Sequence, residues 1–335
     1  MRPPLILTLV MIALLTSSLS LTLLSQTPPS QRQAPPKNGG FQLKVDVNLV
    51  EVHVSALDKG GNAVEGLTQE NFQILEDNKP QEITLFKHED IPVSIGMVID
   101  NSGSMRNKKD KVHSAALSFV KESNPDDETF IVAFEKDAFL QQDFTGSMGD
   151  LVDALENLDP RLETAMYDAI YLSVDHVKKG KLDKKVLLVI SDGEDTASKW
   201  GYNKVLEHVK QAKDVVIYAV GILDEDERSG GLFRKSPQKK AREGLTEIAE
   251  MTGGQAFFPK NIDEVADICR RIARNLRNQY TIGYTPKNDK TNDKTAGGWR
   301  EIIVKPVNFP KNLGKVDLSY RKGYNAPNGD DLNKL

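Results

Sequence analysis

At 335 residues, with 39% hydrophobic and 27% charged side chains, the chain has the composition of a globular protein long enough for two domains. Its net charge of -4, and the lack of any run interleaving Lys or Arg with aromatics, exclude a general nucleic-acid binder. The single cysteine, Cys269, excludes both an internal disulfide and a cysteine-based zinc cluster.

From the N-terminus, Arg2 precedes a strongly apolar segment, with the small residues Ser17, Ser18 and Ser20 after it. Residues 1–24 therefore have the outline of a secretory signal. No charge falls between Pro3 and Gln31, so Leu5 to Leu24 is also long enough to act as an uncleaved membrane anchor. Under either reading the rest of the chain is exported: periplasmic, secreted or at the cell surface. Residues 25–40, SQTPPSQRQAPPKNGG, form a Pro/Gln-rich linker that cannot bury a core.

Residues 41–90 read as β. Leu43, Val45, Val47 and Leu49 alternate, then Val50, Val52, Val54 and Ala56 alternate in the opposite phase, which predicts a bulge or a change of packing side. FQILEDNKPQEITLF reads as one hairpin with Asn78 left-handed at the turn. His53, opposite the valines, reads as a solvated strand residue.

Residues 91–279 alternate strand and helix. VSIGMVID, Val186–Ile190 and Val215–Leu223 are apolar on both faces, as parallel strands between helices must be. The expected architecture is a doubly wound, Rossmann-like α/β domain. Its last helix carries Cys269 among Ile268, Ile272 and Leu276, so that cysteine reads as a small buried apolar residue. Residues 280–325 return to β, and 326–335 form a tail. The two β segments are each too short to fold alone, which predicts that they pair into one small β-sandwich with the α/β domain inserted between them.

Three polar clusters fall at the carboxyl ends of predicted parallel strands, where open α/β sheets place ligands. The first is Asp100-x-Ser102-x-Ser104, the second Thr164 at the start of a helix, the third Asp192 in VISDGED. Two carboxylates and three hydroxyls suit a hard cation; Mg2+ fits best, Mn2+ next and Ca2+ least well. The alternate spacing lets one turn aim three side chains at one point, with Gly103 permitting the bend. Taken singly, such residues also serve as ordinary turn and helix caps.

Catalysis has little support. There is no phosphate-cradling GxxxxGK[ST] loop and no GxSxG elbow, and no histidine falls at the end of a parallel-type strand. An aspartyl phosphatase would need a second carboxylate where Ser102 stands. The chain reads as a non-enzyme.

DNSGSM, ETAMYDAI and VISDGEDTA resemble the metal-ion-dependent adhesion site of von Willebrand factor type A domains. The flanking β sequences, including YTIGYTP and YRKGY, are similar to those of exported bacterial proteins called von Willebrand factor A-related. The resemblance implies that Ser102, Ser104 and Thr164 supply hydroxyl oxygens and that Asp100 and Asp192 act directly or through water. It further implies that a protein ligand's Glu or Asp completes the metal shell. Glu163 departs from the glycine that many relatives carry before the threonine. Specificity is expected from loops on the same face, residues 194–202 and residues 224–240, with Trp200 and Tyr202 reading equally as an exposed aromatic contact or as residues folded back onto the core. The acidic run 224–227 reads as a solvated loop. The competing expectation is a scaffold or assembly subunit of the cell envelope whose metal site only stabilises the fold.

Overall fold

The computed structural model describes residues 49–158, 163–192, 195–223, 236–287, 298–310 and 313–326. The export segment, the linker, the strand phase flip before Leu49, the acidic run 224–227 and the tail lie outside these residues.

The first β segment contributes β1 (Val50–Leu57), β2 (Phe72–Glu76), β3 (Lys79–Gln81) and β4 (Ile83–His88). The α/β segment runs β5 (Val93–Asp100), α1 (Lys109–Glu122), β6 (Glu128–Phe134), β7 (Ala138–Thr145), α2 (Met148–Glu156), α3 (Met166–Val177), β8 (Lys184–Ser191), α4 (Tyr202–Gln211), β9 (Val215–Gly221), α5 (Pro237–Thr252), β10 (Ala256–Phe257) and α6 (Val265–Arg277). The closing strands are β11 (Tyr280–Tyr284), β12 (Gly298–Pro306), β13 (Asp317–Tyr320) and β14 (Gly323–Ala326).

The α/β segment is doubly wound. Its sheet has the order β10-β9-β8-β5-β6-β7, parallel except for β7 at the edge. Every residue of β5 is buried, as a strand apolar on both faces requires, and the hydroxyl of Ser94 within it donates to Glu128 at 2.8 Å. Helices α1, α2 and α6 cover one face and α3, α4 and α5 the other, giving two separate cores. Gly96 lies at the centre because a Cβ there would meet Phe130 at 2.3 Å and Leu187 at 2.5 Å. From β5 the chain winds to β6 on one side and returns to β8 on the other, so the switch point of the sheet lies at the carboxyl ends of β5 and β8.

The flanking segments do combine. Sheets β13-β1-β11-β4 and β14-β12-β2-β3 each mix strands from before and after the α/β segment, and they share one core built on Val52, Val54, Phe72, Ile74, Tyr280, Ile282, Tyr284, Ile302 and Val304. The hairpin is shorter than expected. Asp77 and Asn78 both take positive φ in its turn, and β3 pairs with β2 only from Lys79 to Gln81. The following residues cross to the other sheet, where β4 pairs with β11. Alternation marks a strand but not which sheet it joins.

His53 is the other correction. It is partly buried, its Nδ1 lies 3.1 Å from Thr281 Oγ1, and burial aided by nearby Lys184 pushes its pKa down to about 4. The face opposite the valines looks toward the start of the parallel sheet. A cavity of about 650 Å³ separates the two there, lined by His53, Thr281, Lys184 and Val216 among others. Lys184, wholly buried, donates to the Leu276 carbonyl at 2.8 Å. Gln279 donates to Ser55 Oγ at 2.8 Å, and Arg321 reaches the carbonyls of Ala212 and Lys210 at 2.9 and 2.8 Å. The Gln279 and Arg321 contacts dock the sandwich on the amino ends of the strands and leave the carboxyl ends clear of it.

Candidate metal centre

The chain leaves β5 at Asp100, a carboxylate only 3% exposed. Its Oδ1 accepts the Ser102 N–H at 2.8 Å, and its Oδ2 accepts the Ser191 hydroxyl at 2.5 Å. The first bond turns the backbone sharply, and Ser102 then opens a 3-10 turn over Gly103–Met105. Gly103 is not among the positive-φ glycines, so the bend does not depend on a left-handed residue there. The turn brings Ser102 Oγ and Ser104 Oγ to 3.0 Å, and Ser104 donates to Asp192 Oδ1 at 2.9 Å. Asp192 stands directly after β8. Residues drawn from two strand ends, 88 positions apart, thus form one hydrogen-bonded oxygen cluster at the switch point.

Thr164 is held differently. It precedes α3, buried, with its N–H donating to Thr196 Oγ1 at 3.1 Å and its carbonyl accepting from the N–H groups of Thr196 and Ala197. Among the described residues no hydrogen bond joins its side chain to the other four. The structure ties its backbone to the loop after β8 but does not bring its hydroxyl into the bonded cluster. Glu163 beside it is exposed.

Some residues that shape the centre were not singled out from the sequence. Ser191 holds Asp100, and the Lys108 ammonium sits 2.9 Å from Asp192 Oδ2, its side chain 19% exposed against 1% for the aspartate. A loop-to-helix brace lies behind Thr164. Asp168 Oδ1 and Oδ2 accept the N–H groups of Trp200 and Lys199, while Asp195 accepts from the Tyr167 N–H and from Ser198. Asp168 in the first turn of α3 was the available signal, since a carboxylate there suits the amino end of a helix. Trp200 stacks on Tyr171 with centroids 4.2 Å apart, and the Tyr202 hydroxyl donates to Glu247. Both aromatics fold back onto the helices rather than projecting as a contact surface.

Burial raises the Asp100 pKa, the Ser102 and Ser191 hydrogen bonds oppose that, and the charge of Asp192 adds to it. A buried carboxylate pair of this kind favours a cation. The donor set fits one. In an octahedral Mg2+ shell with bonds of about 2.0–2.1 Å, neighbouring oxygens are about 2.9 Å apart. The Ser102–Ser104 and Ser104–Asp192 spacings of 3.0 and 2.9 Å have that size. Among the described residues no group of three or more His, Cys, Asp or Glu converges as a metal site, so this mixed hydroxyl–carboxylate set is of a different kind.

Residues 95–194 match the family described as von Willebrand factor type A domain. The chain carries a von Willebrand factor type A domain. The matched stretch begins inside β5 and extends just past Asp192, so it spans all five residues of the candidate centre. Among solved structures, the type A protein of Catenulispora acidiphila is similar over 79% of this chain and 75% of its own, at 12% identity and a TM-score of 0.48. BatB of Bacteroides thetaiotaomicron is similar over 55% of this chain and 99% of its own, at 20% identity and a TM-score of 0.43. The type A domain of the pilus tip protein Mfa5 of Porphyromonas gingivalis covers 56% of this chain and 95% of its own, at 14% identity and a TM-score of 0.44. Comparison with curated protein sequences returns no match.

Proposed function

We propose that this chain is an exported protein-binding module that holds a divalent cation, Mg2+ before Mn2+ or Ca2+, at the carboxyl end of its parallel sheet. Asp100, Ser102, Ser104 and Asp192 would hold the ion with Thr164 as a further donor, and an Asp or Glu from a protein partner would complete the shell. The bound ion supplies a Lewis-acidic anchor for that carboxylate. The chain's own part is positional: Ser191 fixes the rotamer of Asp100, and the 3-10 turn presents the two serines together. The role is binding, without turnover. Export rests on the apolar segment of residues 1–24; among the described residues no helix is long and apolar enough to cross a membrane.

The observation that carries this reading is the oxygen cluster joining Asp100, Ser102, Ser104 and Asp192 at the switch point. Calorimetric titration with Mg2+ and Mn2+ tests it, beside Asp100→Ala. Metal heats in the wild type and none in a folded variant support the site. Heats in neither protein refute it. The Lys108–Asp192 ion pair favours a second reading, a scaffold subunit in which the site only contributes stability, because a tethered cation already offsets part of the carboxylate charge. On that reading a chelator changes the melting temperature yet releases no partner from the protein.

A further inference from the structure

Beside the metal centre, on the same end of the sheet, runs a groove of about 840 Å³. It starts at Lys108, the residue whose ammonium touches Asp192, and is bordered further along by Lys239, Arg242 and Lys260. Among the described residues that line it there is no carboxylate. The chain as a whole carries 48 acidic against 44 basic residues, so a border whose described charged side chains are all cationic is not its general character. Lys239 and Lys260 are exposed and have no ion-pair partner among the described residues, whereas many other surface cations do pair, as in Lys111–Asp263 and Arg274–Glu122. The guanidinium of Arg242 lies 4.1 Å over the Phe258 ring, which holds it at the border. The floor is apolar, formed by Ile222 and Phe258 among others.

Like charges gathered along one border repel one another, and an anionic ligand relieves that repulsion. The apolar floor asks for side chains as well as charge. We propose that this groove receives an acidic, leucine-bearing segment of the protein partner, contiguous with the Asp or Glu that reaches the metal. The proposal rests on the metal-dependent reading above and specifies its partner: flanking carboxylates pair with Lys239, Arg242 and Lys260, and an apolar side chain packs on Phe258. A nucleic acid would meet the cations, but its phosphates do not use the apolar floor, and the chain's net negative charge disfavours it.

The test uses the protein with a short fluorescent peptide rich in Glu with leucines interspersed, and the same peptide with Gln for Glu. Anisotropy is read in Mg2+ and in EDTA, over a range of salt, for wild type, for Lys239→Glu with Lys260→Glu, and for Asp100→Ala. Both lysines are exposed, and a thermal melt checks that the double variant folds. The expected result is binding of the Glu peptide and not the Gln peptide, weakened about tenfold or more in the double variant, with a shallower salt dependence. Peptide binding that is equal in the double variant and the wild type, yet released by EDTA, overturns the groove and leaves the metal reading standing. Binding lost in the double variant but indifferent to EDTA and to Asp100→Ala supports the groove and overturns the metal reading. No binding of the Glu peptide, or tighter binding of a single-stranded oligonucleotide, overturns the proposal.

Discussion

Replacing Asp100 by Asn separates what the carboxylate does for the fold from what it does for a cation. Asn keeps the shape, its Oδ1 still accepts the Ser102 N–H, and its amide can donate to the Ser191 hydroxyl. What disappears is a negative charge that burial and the neighbouring Asp192 both disfavour. Two effects of opposite sign follow. In EDTA, Asp100→Asn is as stable as the wild type or more so, because an unfavourable buried charge has gone. In Mg2+ at about 100 times its dissociation constant, the wild type gains about 2.7 kcal/mol by mass action and the variant gains none. For a protein of this size that gain is a rise of roughly 5 °C in the melting temperature. Thermal or urea unfolding of both proteins, with and without Mg2+ or Mn2+, reads both effects. If the variant keeps the full Mg2+ shift, Asp100 is not a metal ligand. If it loses much more than about 1 kcal/mol in EDTA, the carboxylate is a structural pivot and the argument from its burial fails.

Three further outcomes can be measured. Lys108→Met removes an ammonium held 2.9 Å from Asp192, so Mg2+ affinity by calorimetry rises by about tenfold; an unchanged or weaker affinity shows that Lys108 positions the aspartate instead of competing for it. Burial lowers the Lys184 pKa from 10.5 to about 8, so the unfolded chain binds the extra proton across that window and wild-type stability rises with pH through it. Relative to Lys184→Met, which cancels the titration of all other groups, the rise from pH 8 to 10.5 is roughly 3 kcal/mol in urea melts, and a flat difference contradicts it. Gly254→Ala places a Cβ 2.0 Å from the Ile217 carbonyl oxygen between α5 and β9, and it destabilises by about 3 kcal/mol or blocks folding; a variant that melts like the wild type shows that this turn can yield.

Much of the architecture was legible because its signals are local. A strand with apolar side chains on both faces, such as Val93–Asp100, is buried on both, and a carboxylate closing it marks the end where ligands sit. The same logic reached Asp192 at the end of β8. Where the reading failed, the deciding contact was remote in sequence. His53 lies on the polar face by its period, and only the placement of the α/β segment against that face buries it next to Lys184. The departure of β4 to a different sheet from β3 carries no local mark, since both sheets accept the same alternation. Lys108 and Asp192 are 84 residues apart, and nothing around MRNKK distinguishes one lysine from the next. Thr164 is the converse case: its position before α3 was legible, but the bonding of its backbone depends on the Thr196 loop.

The docking of the sandwich also fixes the end of α6. Helix α6 passes into β11 with only Asn278 and Gln279 between them. Asn275, near the end of α6, accepts the Ala63 N–H at 3.0 Å and donates to the Gly61 carbonyl at 2.9 Å. Gln279 reaches Ser55, and the Leu276 carbonyl accepts from buried Lys184. Sliding α6 along the sheet breaks these bonds together, and each buried polar group left unpaired costs about 1–3 kcal/mol. Asn275→Ala, which removes the partner of both the Ala63 N–H and the Gly61 carbonyl, is therefore expected to destabilise the protein by about 1–3 kcal/mol in urea melts, and an unchanged melt shows that water replaces the amide there.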